Sequence, residues 1–285
     1  MITIFKKSSE LLHWRASEEQ SIGLVPTMGN LHSGHLSLLE ASVEKHPVSV
    51  ITIFVNPKQF GPNEDFERYP RTLEDDINLI EELAQKKPQR KIILFAPESV
   101  EEIFPTDFQT SIIVTGVTNK LCGKTRPTHF QGVTTVVYRL FSLINPHTAY
   151  FGQKDWQQVV VLKKMATDLR LQVRVKSCPL VRSKSGLALS SRNQYLSSEE
   201  KEEALILYRT LKTGLERLQK GDSPEMISQY FETLKSGFEY LEILDAETLE
   251  EVHPQTQTIA LLGALQMKRA RLIDNILFTR KKLND

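Results

Sequence analysis

The chain has 285 residues, with 36 Lys and Arg against 35 Asp and Glu, a formal charge of +1. Its length suits one large domain or two modest ones, and 40% apolar with 25% charged residues describes a chain able to bury a core, which excludes disordered and collagen-like classes. Near-neutrality excludes binding to nucleic acid or membrane through bulk charge. Cys122 and Cys178 form neither a disulfide framework nor a zinc cluster by themselves, and a reducing cytoplasm suits them best. No apolar run approaches the ~18 residues of a membrane helix. The longest, VSVITIFV and GVTTVVY, have strand length. Lys6 and Lys7 fall where a secretory signal would need its apolar segment, so neither export nor membrane anchoring is expected.

From residue 1 to about 185, short β-branched runs alternate with amphipathic segments. ITIF at 2–5, IGLV at 22–25, VSVITIF at 48–54, KIILFA at 91–96, TAYFG at 148–152 and LQVRV at 171–175 read as buried strands of a parallel sheet. Between them, Leu36, Leu39 and Val43, then Leu73, Ile77, Ile80 and Leu83, then Val159, Leu162 and Ala166 recur at helical spacing. Right-handed βα crossovers make this a doubly wound α/β fold with its ligand crevice at the carboxyl ends of the strands. Beyond Arg192, segments 198–219 and 223–238 read as helices and LEILDA, TIALLGALQ and ARLIDNILF as strands, a second, smaller α+β C-terminal domain. Residues 1–185 carry 23 basic and 19 acidic side chains, and residues 186–285 carry 13 and 16. The first part therefore suits an anionic ligand, and the acidic second part is a poor grip for RNA.

Gly123-Lys124-Thr125 imitates the end of a phosphate-binding P-loop, but Thr118 stands where the earlier glycine is required. Four segments carry better chemistry. VPTMGNLHSGHLSLLEAS, residues 25–42, reads as strand end, tight glycine turn and helix start, where unpaired N–H groups and the helix dipole favour phosphate. There His32 and His35 would share a face as phosphoryl donors, as a structural pair, or as two metal ligands lacking a third. FVNPKQFGPNEDFERYPRTLEDD, residues 54–76, is a proline-held loop in which Asn56 and Gln59 could read hydroxyls or a carboxylate, or only cap the loop. AYFGQKDWQQVVVLKKM, residues 149–165, puts Lys154 in a first helical turn, an unfavourable place for a cation without an adjacent anion. VRSKSGLALSSRN, residues 181–193, is an anion clamp or a serine-rich linker.

Taken together, PTMGNLHSGH, FVNPKQFGPNEDFERYPRTLEDD, RPTHFQGVTTVVYRLF, FGQKDWQQ and GLALSSRNQYL resemble the bacterial pantoate-β-alanine ligase family in order and spacing, over essentially the whole chain. The resemblance implies a place in the HIGH-motif nucleotidyltransferase superfamily, with a Rossmann-like domain over 1–185 binding ATP and pantoate and a lid domain over 186–285. It implies condensation of D-pantoate with β-alanine, with ATP as co-substrate and Mg2+ as cofactor, releasing AMP and pyrophosphate, by a cytoplasmic homodimer without nucleic-acid or membrane partners. Motif by motif, Met28, Gly29, Asn30, Leu31, His32, Ser33, Gly34 and His35 would form the first ATP segment, with His35 the proton donor and His32 its partner. Gln59 and Gln158 would hold pantoate. Gly152, Gln153, Lys154 and Asp155 would bind ATP, with Lys154 on the phosphates. Val181 would touch the adenine region, and Leu189, Ser190, Ser191 and Arg192 would close over the triphosphate. Gln153, Arg139, Leu189, Ser183 and Ser185 depart from residues common in the family, none at a position with a catalytic role.

A carboxylate and an amine do not condense in neutral water unaided, so the expected route is a pantoyl adenylate, stabilised by donors placed where phosphoryl charge develops. Such an anhydride needs shelter from water, which makes the C-terminal domain a natural lid. The rivals are a nucleotidyltransferase with a stable nucleotide product, a tRNA synthetase, and a nucleotide-sensing or scaffold protein with a degenerate site.

Overall fold

The computed structural model describes residues 2–62 and 64–280; Asn63, inside the proline-held loop, lies outside the described residues. The chain divides into two compact units, Met1–Gly152 with Gln157–Pro179, and Gln153–Trp156 with Leu180–Asp285.

In the first unit the elements run β1 (Thr3–Phe5), α1 (Ser8–Ser17), β2 (Ile22–Thr27), α2 (Ser33–Lys45), β3 (Val48–Ile53), α3 (Leu73–Lys86), β4 (Lys91–Phe95), α4 (Leu121–Thr125), α5 (His129–Ile144), β5 (Thr148–Gly152), α6 (Trp156–Asp168, in this unit from Gln157) and β6 (Arg174–Cys178). The six strands are all parallel, in the order β1-β4-β3-β2-β5-β6. This is the expected doubly wound α/β sheet. Its strands are apolar because both faces are covered. Val25 and Ile51 meet Leu38, Leu39 and Val43 of α2 and Ile80 and Leu83 of α3, while Leu24, Val48 and Val50 alternate onto the opposite face and are equally buried. From β2 the chain winds through β3 to β4, and from β5 to β6 it winds the other way. The direction therefore reverses between β2 and β5, where ligands of such sheets gather at the carboxyl ends.

One branched run is helical, and one strand starts later than expected. GVTTVVY, of strand length, lies inside α5: Thr134 and Thr135 return their hydroxyls to the carbonyls of Phe130 (2.8 Å) and Gln131 (2.6 Å), and Val133, Val136, Val137 and Leu140 are buried. Tertiary burial overrides the β preference of branched side chains here. The last strand begins at Arg174, three residues later than LQVRV implied, because Arg170 takes a left-handed conformation (φ 49°) and Leu171 N–H bonds back to Ala166 O, so the turn closing α6 uses the residues in between.

In the second unit α7 (Ser198–Gln219) and α8 (Pro224–Leu234) precede an antiparallel sheet of β7 (Tyr240–Asp245), β8 (Thr258–Gln266) and β9 (Arg271–Thr279), ordered β7-β8-β9. Ser197 and Glu200 form a reciprocal capping box that starts α7, and Pro224 opens α8 at its first position. Leu207, Leu211, Phe231, Ile243 and Leu261 share its core. Helix α8 stops at Leu234, four residues short of the expected end, and continues only as a 3-10 turn over Lys235–Gly237.

At the amino ends of β2 and β5 a polar knot is buried in the first unit. His46, 7% exposed, shares a hydrogen bond between Nδ1 and the Ser21 hydroxyl (2.5 Å) and meets the edge of Tyr150. Burial, with His147 and Lys176 nearby, holds its imidazole below the usual 6.5. A depressed folded value means that its contribution is present above 6.5 and is lost as pH falls through the folded value. The melting temperature should therefore drop on acidification from about pH 8 to about pH 5 more steeply for the wild type than for His46→Gln. Parallel curves for the two proteins would show that this histidine does not contribute.

Candidate active site

The segment after β2 is shaped by its own backbone. Gly29 has φ +82° and Asn30 φ +50°, two successive left-handed residues that turn the chain sharply out of the sheet. A side chain at Gly29 would also press on Asp76 Oδ2 and Ile53 Cγ2, each 3.0 Å from the position of a Cβ. Asp76, in the first turn of α3 and 1% exposed, accepts the N–H groups of Asn30 (2.9 Å) and Leu31 (2.7 Å), and the Thr72 hydroxyl at 3.4 Å. Burial pushes its carboxyl above the usual range, while those donors pull it down. Thr27 closes the strand end by donating to Thr52 O (2.6 Å) and accepting from Gly29 N–H (3.2 Å).

His32 then caps α2: its Nδ1 accepts the Gly34 N–H at 3.1 Å, and its carbonyl takes the N–H of His35 and Leu36. A neutral ring that accepts at Nδ1 carries its proton on Nε2, which becomes its donor. The His35 ring stacks on His32 with centroids 4.1 Å apart. The two histidines thus share a face at the amino end of a 13-residue helix, where the dipole and backbone N–H groups favour an anion.

Gln59 ends a 3-10 turn, Pro57–Gln59, opened by Asn56. Asn56, 1% exposed, accepts Lys58 N–H and donates both to Gln59 Oε1 (3.0 Å) and to Gly132 O (3.2 Å), so the Gln59 amide points its Nε2 at Met28 Sδ, 3.2 Å away. The Gln59 carbonyl receives His129 Nδ1 (2.9 Å) and Arg126 Nη2 (3.2 Å), and Arg126 also makes a two-pronged ion pair with Glu64. Burial works to raise the Glu64 carboxyl, but the guanidinium overrides it and holds the group below its usual range. Met28, Asn56 and Gln59, from two separate motifs, are therefore brought together. Gln158 is half-buried in the first turn of α6. Its neighbour Gln157 is buried and structural, bonding Val117 O, Lys120 O and Cys122 N–H around the P-loop imitation.

Gly152 ends β5 in the first unit, and the second unit holds the remaining nucleotide candidates. Gln153–Asp155 is a 3-10 turn in which Lys154 Nζ lies 3.4 Å from Asp155 Oδ1. Val181 and Leu189 face each other across a small hairpin, with Leu189 N–H on Val181 O and a bridge between Arg182 and Ala188. Ser183 and Ser185, at its tip, bond to one another at 2.8 Å. Ser190 caps the turn Ser191–Tyr195 by accepting the Arg192 N–H.

Residues 3–277 match the family model described as pantoate-beta-alanine ligase. The chain belongs to that family. It is 47% identical over 262 residues to a pantothenate synthetase of Acetivibrio thermocellus, covering 90% of this chain and 91% of the relative. Its structure is similar to the pantoate-β-alanine ligase of Thermus thermophilus, with a TM-score of 0.88, 42% identity, and coverage of 96% of this chain and 99% of the other. It is also similar to the ligase of Francisella tularensis complexed with β,γ-ATP and β-alanine, at a TM-score of 0.76 and 31% identity over 97% of this chain and 98% of that one.

Reading the motifs passed over Asp76, Arg126 and His129 as individuals, although all three lie inside the segments that carry the family resemblance. Three acids open α3, which helix-dipole stabilisation explains without singling out Asp76. At Gly132 the backbone of α5 approaches the Gln59 turn so closely that a Cβ would stand 2.1 Å from Lys58 O. Gly132→Ala should therefore fold with a loss of about 1–3 kcal/mol and, by shifting the Gln59 turn, raise the KM for pantoate. Unchanged stability and KM would show that the turn yields freely.

Proposed function

We propose that the first unit activates D-pantoate as pantoyl adenylate at the loop following β2, and that β-alanine then takes the acyl group. The chain is an ATP-dependent ligase that forms pantothenate. The observation that carries the adenylate route is the stacked His32–His35 pair at the amino end of α2, where the sheet reverses direction. In the first step a pantoate carboxylate oxygen attacks the α-phosphorus in line and pyrophosphate departs with the broken bond's electrons. In the second the neutral β-alanine amine attacks the acyl carbonyl, the acyl–phosphate C–O bond breaks with its electrons going to AMP, and the nitrogen gives up a proton to solvent. The protein's share is positioning and stabilisation of phosphoryl charge, with no covalent enzyme intermediate.

Within this reading, residues 28–35 cradle ATP as a HIGH-like loop, His35 donates a proton or hydrogen bond to the departing phosphates, and His32 orients it. Gln59, held by Asn56, and Gln158 take the pantoate hydroxyls and carboxylate. Gly152 to Asp155, Val181 and Leu189 to Arg192 are further nucleotide residues, with Lys154 on the phosphates. Mg2+, when bound with ATP, would supply positive charge that offsets the phosphates, and it favours phosphate oxygens and water as ligands; among the described residues no group of three or more His, Cys, Asp or Glu side chains could hold a metal. Among them, too, no helix is long and apolar enough to cross a membrane. Family resemblance supports a homodimer, which sedimentation would test, and a cytoplasmic setting suits the burial of both Cys122 and Cys178.

The deciding experiment is pyrophosphate–ATP isotope exchange with Mg2+ and D-pantoate, without β-alanine. Pantoate-dependent exchange is expected, reduced ~10²- to 10³-fold in His35→Ala. Absence of exchange from a protein that still forms pantothenate would rule out a reversible free adenylate step.

A further inference from the structure

Two adjacent polar residues of β9, Asp274 and Asn275, are 4% and 1% exposed. Strand geometry sends them to opposite faces, and burying both needs a reason beyond the core, which at this strand is built from Leu272 and Ile276. Each holds a different segment of the second unit. Asn275 Nδ2 donates to Gln153 O (2.9 Å) and Lys154 O (3.0 Å), while its Oδ1 accepts the Gln153 amide at 3.1 Å. Asp274 takes the Arg182 guanidinium on both oxygens, at 2.6 and 2.8 Å. Arg182 also donates to Gly186 O and Asn275 O and lies over the Tyr208 ring, 4.1 Å from its centroid. Arg182 opens the hairpin that runs to Leu189, and the Gln153–Asp155 turn carries Lys154.

We propose that Asp274 and Asn275 are positioning residues for nucleotide use: one strand fixes the Lys154 turn through Asn275 and the 181–189 hairpin through Asp274 and Arg182. This rests on the reading of those segments as ATP ligands. The backbone carbonyls of Gln153 and Lys154, rather than the Lys154 ammonium, are what Asn275 grips, so the strand fixes the turn while the ammonium keeps Asp155, 3.4 Å away, as its ion-pair partner among the described residues. A two-pronged Arg–carboxylate pair in a buried setting resists displacement, because breaking it strands a charge.

The test is steady-state kinetics on the full chain with Asn275→Ala, Lys154→Ala and the double variant. Asn275→Ala is expected to lower kcat/KM for ATP ~10- to 100-fold and to leave KM for β-alanine unchanged. The double variant is expected to be no worse than Lys154→Ala, since both act through one turn. Asp274→Asn should show the same selectivity for ATP. Losses that add in the double variant, or that fall alike on every substrate, would overturn the inference and leave a structural role. Normal ATP kinetics in Asn275→Ala beside a damaged Lys154→Ala would also overturn it while sparing the ligand reading; normal kinetics in Lys154→Ala would instead remove the reading on which it rests. Asn275→Ser, too short to span both carbonyls, is judged by the same outcomes if the alanine variant does not fold.

Discussion

Asp76 accepts two consecutive backbone N–H groups, those of Asn30 and Leu31, from inside the protein. Without that carboxylate the N–H groups of Asn30 and Leu31, just past the left-handed turn at Gly29 and Asn30, would lose their common acceptor, and the chain would have no fixed path from β2 to the cap at His32. The path decides where α2 begins, and with it where the two imidazoles stand. A carboxylate is placed in a buried site because it can accept both N–H groups at once, and those donors in turn offset the burial that pushes its carboxyl upward.

The same arrangement recurs at the Gln59 turn. Asn56, buried, uses both ends of its amide to hold the turn and Gly132, and two side chains draw the Gln59 carbonyl from the far side. The side chain that meets substrate in the proposed reaction is thus rigid before any substrate arrives, which limits the ordering cost of binding. In the second unit a buried amide plays a similar part: Asn275 grips the Gln153 and Lys154 carbonyls and the Gln153 side-chain amide, as Asn56 grips the Gln59 side-chain amide and the Gly132 carbonyl.

Much of the fold was legible because its signals are local. The apolar runs at 22–25, 48–54 and 91–96 mark strands that pair in a parallel sheet, and the change of pattern beyond Arg192 marks the helices and strands of the second unit. GVTTVVY is helical for a physical reason: branched residues enter a helix when both its sides are buried and threonine hydroxyls bond the preceding turn. Among the site residues, His32, His35 and Gln59 were visible from residue type within a motif. Asp76 and Asn275 were not, because each acts on a segment 45 and more than 120 residues away, and nothing in the local pattern distinguishes a carboxylate that braces a loop from one that caps a helix.

The most direct measurement is residue-resolved amide hydrogen exchange on the wild type and Asp76→Asn, whose single carbonyl oxygen can no longer serve both donors with a charged partner. Asn30 and Leu31 amides are expected to lose protection together, with those of His35 and Leu36 following as α2 frays, while amides of β3 and β4 stay protected. Unchanged protection at Asn30 and Leu31 would contradict the central role given to this carboxylate.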